Sequence, residues 1–155
     1  MEDVLEVYAL EPDPARPLVC LDEFSKQLLE HASDPVPMRV DRPARQDYEY
    51  VRKGTVSGFM MASPHLGLRE VYVSPGGRRT AKDYAHAMRH LADEIHPEAE
   101  KIIVVQDNLN THAIESFYAA FEAPEARRLV ERFEFHFTPK HGSWLNIAEN
   151  ELSSL

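Results

Sequence analysis

Behind Lys101 the run Ile102-Ile-Val-Val105 is apolar without alternation and stops abruptly at Gln106, Asp107 and Asn108. So short an unbroken apolar run is a strand buried on both faces. Helical patterns on either side of it predict that it is parallel and central in its sheet. Such a strand limits the chain to an α/β architecture, and the acid at its tip needs a reason. Open parallel sheets place their sites beyond the carboxyl ends of their strands. A second apolar run, Leu18 to Leu21, also ends in acid, at Asp22 and Glu23.

The flanking segments agree with that architecture. Thr80 and Asp83 stand at capping-box spacing. Ala81, Tyr84, Ala85, Met88, Leu91, Ala92 and Ile95 follow on one helical face, closed by Pro97. Residues 113–121 and the segment opened by Pro124 read as shorter helices, and Phe133 to Phe137 alternates as a strand. Ser143 is expected to cap a last helix. Asp47 to Ser63 reads as a hairpin turning at Lys53-Gly54, and Arg69 to Ser74 as a short strand. Glu23 to Ala32 fits either a short helix or a strand extension. Residues 33–46 are proline-rich and basic, a loop, and residues 1–17, broken by Pro12, Pro14 and Pro17, read as a loose lead-in. The order gives an α/β fold with an antiparallel start and parallel additions.

At 155 residues and 43% hydrophobic, the chain suits one domain with a real core. No apolar run is long enough for a membrane span. The acidic N-terminus lacks a signal-peptide core, which predicts a cytoplasmic protein. The single cysteine, Cys20, reads as a small buried hydrophobe in a strand. A formal net charge of −9 taken alone argues against a nucleic-acid partner. Basic residues nonetheless cluster: Arg39, Arg42, Arg45, Arg52 and Lys53; then Arg78, Arg79 and Lys82; then Arg127, Arg128 and Arg132. Solvated faces are the simpler account of all three groups.

If the two acid-tipped strands are neighbours, Asp22 and Asp107 meet at one edge of the sheet. Close carboxylates raise one another's pKa unless a cation shares them. Mg²⁺ favours a few carboxylates together with water and phosphate oxygens. Paired acids here therefore suggest phosphoryl chemistry, against the plainer alternative of acids that merely end strands at the surface. A third acid lies on the last helix. Glu149 and Glu151 flank its apolar stripe of Leu145, Ala148, Leu152 and Leu155, and periodicity does not choose between them.

The motifs carry a resemblance. "QDNLNTH" fits D-N-x-x-x-H, and "HFTPKHGSWLNIAENEL" fits T-P-x-x-x-S-W-L-N-x-x-E. Together with "VCLDE", they make nearly the whole chain resemble the bacterial insertion-sequence transposases of the mariner superfamily, in particular the IS six-thirty family. The resemblance implies a ribonuclease H-like fold, a mixed central sheet with helices on both faces. It implies a D-D-E triad of Asp22, Asp107 and Glu149 acting as catalytic residues and metal ligands, with two Mg²⁺ or Mn²⁺ ions. It implies DNA cleavage and strand transfer on transposon ends and a TA target, nucleoid association when acting, and a homo-oligomeric active complex. Asn108, His112, Lys140, Ser143 and Asn146 become candidates for auxiliary or DNA-contacting roles, and Glu23 for an auxiliary acid on the opposite side of its strand. For His112, a structural hydrogen bond at a helix start is the plainer expectation, and for Trp144, core packing. His136 and His141 do not define a zinc site.

The chain departs from that family in places. Members carry helix-turn-helix domains ahead of the catalytic domain, which residues 1–155 do not show, and the chain ends close behind Glu149. Phe24-Ser25 stands where the family has Lys-Pro. A catalytic domain served by a separate DNA-binding chain is the expectation. An inactive transposase remnant and a stand-alone ribonuclease H-like nuclease are the alternatives.

Overall fold

The computed structural model describes residues 1–32, 37–38, 40–43 and 49–153. Most of the expected loop at 33–46 lies outside the described residues. The strands are β1 (Leu18–His31), β2 (Tyr50–Ser63), β3 (Leu68–Val73), β4 (Ile102–Gln106) and β5 (Phe133–Phe137). They form one five-stranded sheet in the order β3-β2-β1-β4-β5. The first three pair antiparallel, and β4 runs parallel to both β1 and β5. β4 is thus central and parallel, and every one of its residues is buried.

Helices α1 (Glu2–Tyr8), α2 (Ala81–His90), α3 (Glu115–Ala120), α4 (Ala123–Glu131) and α5 (Ile147–Ser153) cover both faces. Alternation along the strands divides the core in two. Val19, Leu21, Phe59, Met61, Ile102 and Val104 pack under α2, α3 and α4. Leu18, Cys20, Met60, Ala62, Ile103 and Val105 pack under α1 and α5. This is the ribonuclease H-like arrangement that the resemblance implies. Thr80 and Asp83 form the expected capping box at the start of α2. The helix then widens into a π turn over Leu91–Ile95. No helix among the described residues is long and apolar enough to cross a membrane.

Several expectations change. The lead-in is not loose: α1 buries Val4 and Val7 on the sheet, and the Tyr8 hydroxyl donates to the Leu145 carbonyl at 2.7 Å. Prolines confined to residues 12–17 say nothing about the seven residues that form α1. Glu23 to His31 extends β1 rather than turning into helix. The signal at Lys53-Gly54 marks a bulge and not a hairpin turn. Gln27 pairs with Thr55 but Leu29 with Arg52, and Gly54 takes φ +108° inside a continuous β2. Glycine's freedom suits a bulge as well as a turn. Ser143 opens a short 3₁₀ turn, Ser143–Leu145, with no capping bond. Asn146 caps α5 instead, its Oδ1 accepting from the Ala148 N–H at 3.1 Å. Trp144 is 63% exposed, not core.

If α1 is part of the packed core, Val4→Ala combined with Val7→Ala removes four buried carbons and lowers stability by about 3 kcal/mol. Urea unfolding measures this, and a change within about 0.5 kcal/mol would restore the loose lead-in.

Candidate active site

The register of the parallel pair builds the site. Leu18 sits opposite Ile103, Val19 opposite Val104 and Cys20 opposite Val105. Two further steps along each strand direction bring Asp22 level with Asp107. The side chains of Cys20 and Val105 enter the layer under α1 and α5, so alternation turns Asp22 to that same face. β4 stops at Gln106 while β1 runs on to His31 beside β2. The notch left at the end of β4 is the kind of crevice in which α/β sheets hold ligands.

Helix α5 contributes the third acid, and Asn146 sets its place. The buried Asn146 amide donates from Nδ2 to the Leu21 carbonyl at 2.8 Å while its Oδ1 caps α5. One side chain thereby bolts the start of the helix to β1 one residue before Asp22. Glu149, on the first turn, lies near enough for its charge to raise the Asp22 carboxyl. Glu151 turns away to pair with Arg69 on β3. Asn146 is 3% exposed, too buried for the DNA-contacting role considered for it.

Electrostatics shows the juxtaposition. Burial, and then the charges of Asp107, Glu149 and Glu23, push the Asp22 carboxyl up to about 6. The Glu23 N–H, donating to Asp22 Oδ1 at 2.8 Å, pulls the other way. Glu149 Oε2 is buried with no donor, while Asp107 Oδ1 lies against the His112 ring at 2.8 Å. A buried carboxylate oxygen without a donor is costly, and a divalent cation with oxygen preference satisfies it. The residues therefore fit such an ion. Among the described residues no three His, Cys, Asp or Glu side chains are already drawn together closely enough to hold one. The three carboxylates face one another at repulsion range and are not closed into a chelate.

On the opposite side of the sheet, His112 does more than start a helix. Its ring lies between two acids: Nδ1 is 2.8 Å from Asp107 Oδ1 and Nε2 is 3.1 Å from Glu23 Oε1. Nδ1 also approaches the Asp107 backbone carbonyl, at 3.3 Å. Burial pulls the imidazole down, yet the hydrogen bonds and charges of Asp107 and Glu23 outweigh it and raise His112 to about 9. The ring stacks on Tyr84 at 4.7 Å between centroids. The Tyr84 hydroxyl donates to Gln106 Oε1 at 3.0 Å, and Gln106 Nε2 donates to the His112 carbonyl at 3.2 Å. Gln106 thereby clips down the turn that carries Asp107.

Glu23 is therefore the acid that holds His112 and, as alternation predicts, points away from Asp22. Asn108, Lys140 and Ser143 are exposed. The segment after β5 that carries Lys140 and Ser143 is tied to the tip of β4 by the Thr138 N–H, which donates to the Gln106 carbonyl at 2.9 Å. Gln106 and Glu23 escape a motif reading because their work is with groups distant in sequence. The period-two pattern after Leu21 is the one signal that places Glu23 on the His112 side.

No curated protein and no solved structure matches the chain. The family described as DDE superfamily endonuclease matches residues 17–155. That span holds all five strands and all three acids of the site. With most of its length matched, the chain belongs to the DDE superfamily endonucleases.

Proposed function

We propose that this chain is the catalytic domain of an insertion-sequence transposase of the mariner superfamily, IS six-thirty type. It cleaves DNA and joins the ends, with Asp22, Asp107 and Glu149 as catalytic residues and ligands of Mg²⁺ or Mn²⁺. The observation that carries the reading is the level placement of Asp22 and Asp107 on parallel neighbours, with Glu149 turned toward them. Two such ions, when bound, activate the attacking water or 3′-hydroxyl and stabilise the leaving oxygen. The chain's own groups supply position. Glu23 and His112 hold Asp107 from behind, and Asn146 sets α5 so that Glu149 reaches the notch. Buried strands keep the first two acids fixed, as a metal site requires. Asn108, Lys140 and Ser143 line the approach for DNA, where contacts to the backbone position without specifying sequence. A partner chain carrying the DNA-binding domain, and self-association in the active complex, belong to the same reading, as does action at the nucleoid in the cytoplasm.

A second reading is a folded domain without turnover. The absence of a closed three-ligand group among the described residues favours it.

Plasmid nicking in Mn²⁺ separates the two. Asp107→Asn is expected to abolish nicking with unchanged circular dichroism, and equal nicking by the variant would sink the transposase reading. Robust nicking by the unsubstituted chain removes the remnant reading.

Calorimetric Mn²⁺ titration gives a second check. Asp22 must lose its proton to bind the ion, so affinity is expected to fall as pH drops through about 6, by roughly tenfold per unit. A flat profile between about pH 7 and 5 would detach Asp22 from the ion.

A third check is stability. The Asp22 pKa is raised in the fold, so its contribution is full at low pH and lost as pH rises through about 6. The metal-free Asp22→Asn variant is therefore expected to melt higher than the unsubstituted chain at about pH 8, with the difference vanishing below about pH 4. Saturating Mn²⁺ should reverse the order at the higher pH. An Asp22→Asn variant that melts lower without metal would show that neither burial nor the neighbouring acids disfavour the ionised Asp22.

A further inference from the structure

The basic residues sort into two kinds. In the third sequence cluster they are spent on the protein itself. Arg127 pairs with Glu131, Arg128 with both Asp93 and Glu125, and Arg132 donates to the carbonyls of Ala92 and His96. The solvated-face account holds there. The cluster at Arg78, Arg79 and Lys82 differs. Arg78 and Lys82 are exposed and form no ion pair with any described residue. Arg79, 55% exposed at its side chain, pairs among the described residues with Glu23, at 3.3 Å.

That contact joins the cluster to the site. Arg79 Nη1 meets Glu23 Oε2, Glu23 Oε1 meets His112 Nε2 at 3.1 Å, and His112 Nδ1 meets Asp107 Oδ1 at 2.8 Å. Two side chains, with charges alternating in sign, separate the surface cation from the acid at the tip of β4. The loop that presents the cations is laid against the sheet. Gly76 and Gly77 take φ +87° and +67°, and a Cβ on Gly77 would meet the Thr55 carbonyl of β2 at 3.0 Å. The backbone lies that close only because the residue is glycine.

A polyanionic substrate approaching a chain of net charge −9, and a notch of converging carboxylates, needs uncommitted cations beside the notch. We propose that the segment 75–82 is a backbone-phosphate subsite for duplex DNA. Arg78 and Lys82 take phosphates flanking the reacting one, and Arg79 is held in line by Glu23. The proposal rests on the nuclease reading above and adds to it the surface along which the DNA strand runs. Phosphate contacts of this kind raise affinity without reading sequence.

The test is fluorescence anisotropy of a short fluorescein-labelled duplex, over a salt series, with Ca²⁺ present to prevent cleavage. The combined Arg78→Glu and Lys82→Glu variant is expected to bind at least about tenfold more weakly at low salt. Its plot of log affinity against log salt should be shallower by about 2, near 0.9 for each lost phosphate contact. In nicking assays KM should rise while kcat at saturating DNA stays near that of the unsubstituted chain. Calorimetric Mn²⁺ affinity should not move. Arg127→Glu, a cation already paired on α4, is the control and should leave the slope unchanged. An unchanged slope in the double variant, an equal loss in the control, or no salt-dependent binding by the unsubstituted chain would overturn the subsite. Nicking by Asp107→Asn would overturn the underlying reading instead, and leaves the salt slope as an independent result.

Discussion

The parallel pairing of β1 with β4 is the constraint from which the site follows. It sets two carboxylates level at the end of a buried ladder, where their repulsion and desolvation work against the fold. The opposing term is the apolar burial along the same strands. Val19, Leu21, Ile102 and Val104 lie in one layer, and Leu18, Cys20, Ile103 and Val105 in the other. Each fully buried side chain of this size contributes on the order of 2 kcal/mol, enough for the ladder to hold both acids where neither would rest alone.

The two faces of the sheet then act differently on the same site. On the α1–α5 face a neutral amide does the work. Asn146 has both a donor and an acceptor, and it uses one for the Leu21 carbonyl and the other for the helix cap. An acid there would lack the donor. On the α2–α3 face the work is done by charge. Glu23, His112 and Asp107 alternate in sign, and Tyr84 and Gln106 fix the ring and its carbonyl. Asp107 is thereby supported from behind by a cation while its open side faces Asp22 and Glu149. The β1–β2 ribbon beyond Asp22 and the loop resting on β2 extend this arrangement out to the surface.

Much of this was legible in the chain and some of it was not. The central strand, the capping box at Thr80 and Asp83, and burial of Cys20 come from local patterns that the tertiary structure does not override. The bulge at Gly54 was legible only as a place where the backbone must bend, because glycine serves a bulge and a turn equally. α1 was obscured by prolines that follow it, Trp144 by its size, and the start of α5 by a serine whose capping potential a buried asparagine displaced. For α1 and α5 the deciding partner is far away in sequence, Leu145 for Tyr8 and Leu21 for Asn146, as Glu23 is for His112.

The sequence by itself determined that an α/β sheet would form and that acids would stand at the tips of two of its strands. Periodicity and the placement of apolar runs are properties of neighbouring residues, and they survive into the fold for that reason. Only the tertiary structure decided that the two strands are adjacent and in matching register, that Glu149 and not Glu151 turns toward them, and that His112 lies between two carboxylates. Those outcomes depend on distances between residues that the chain order does not encode. They are set by which faces the helices cover and by the few buried polar groups that must find partners once water is gone.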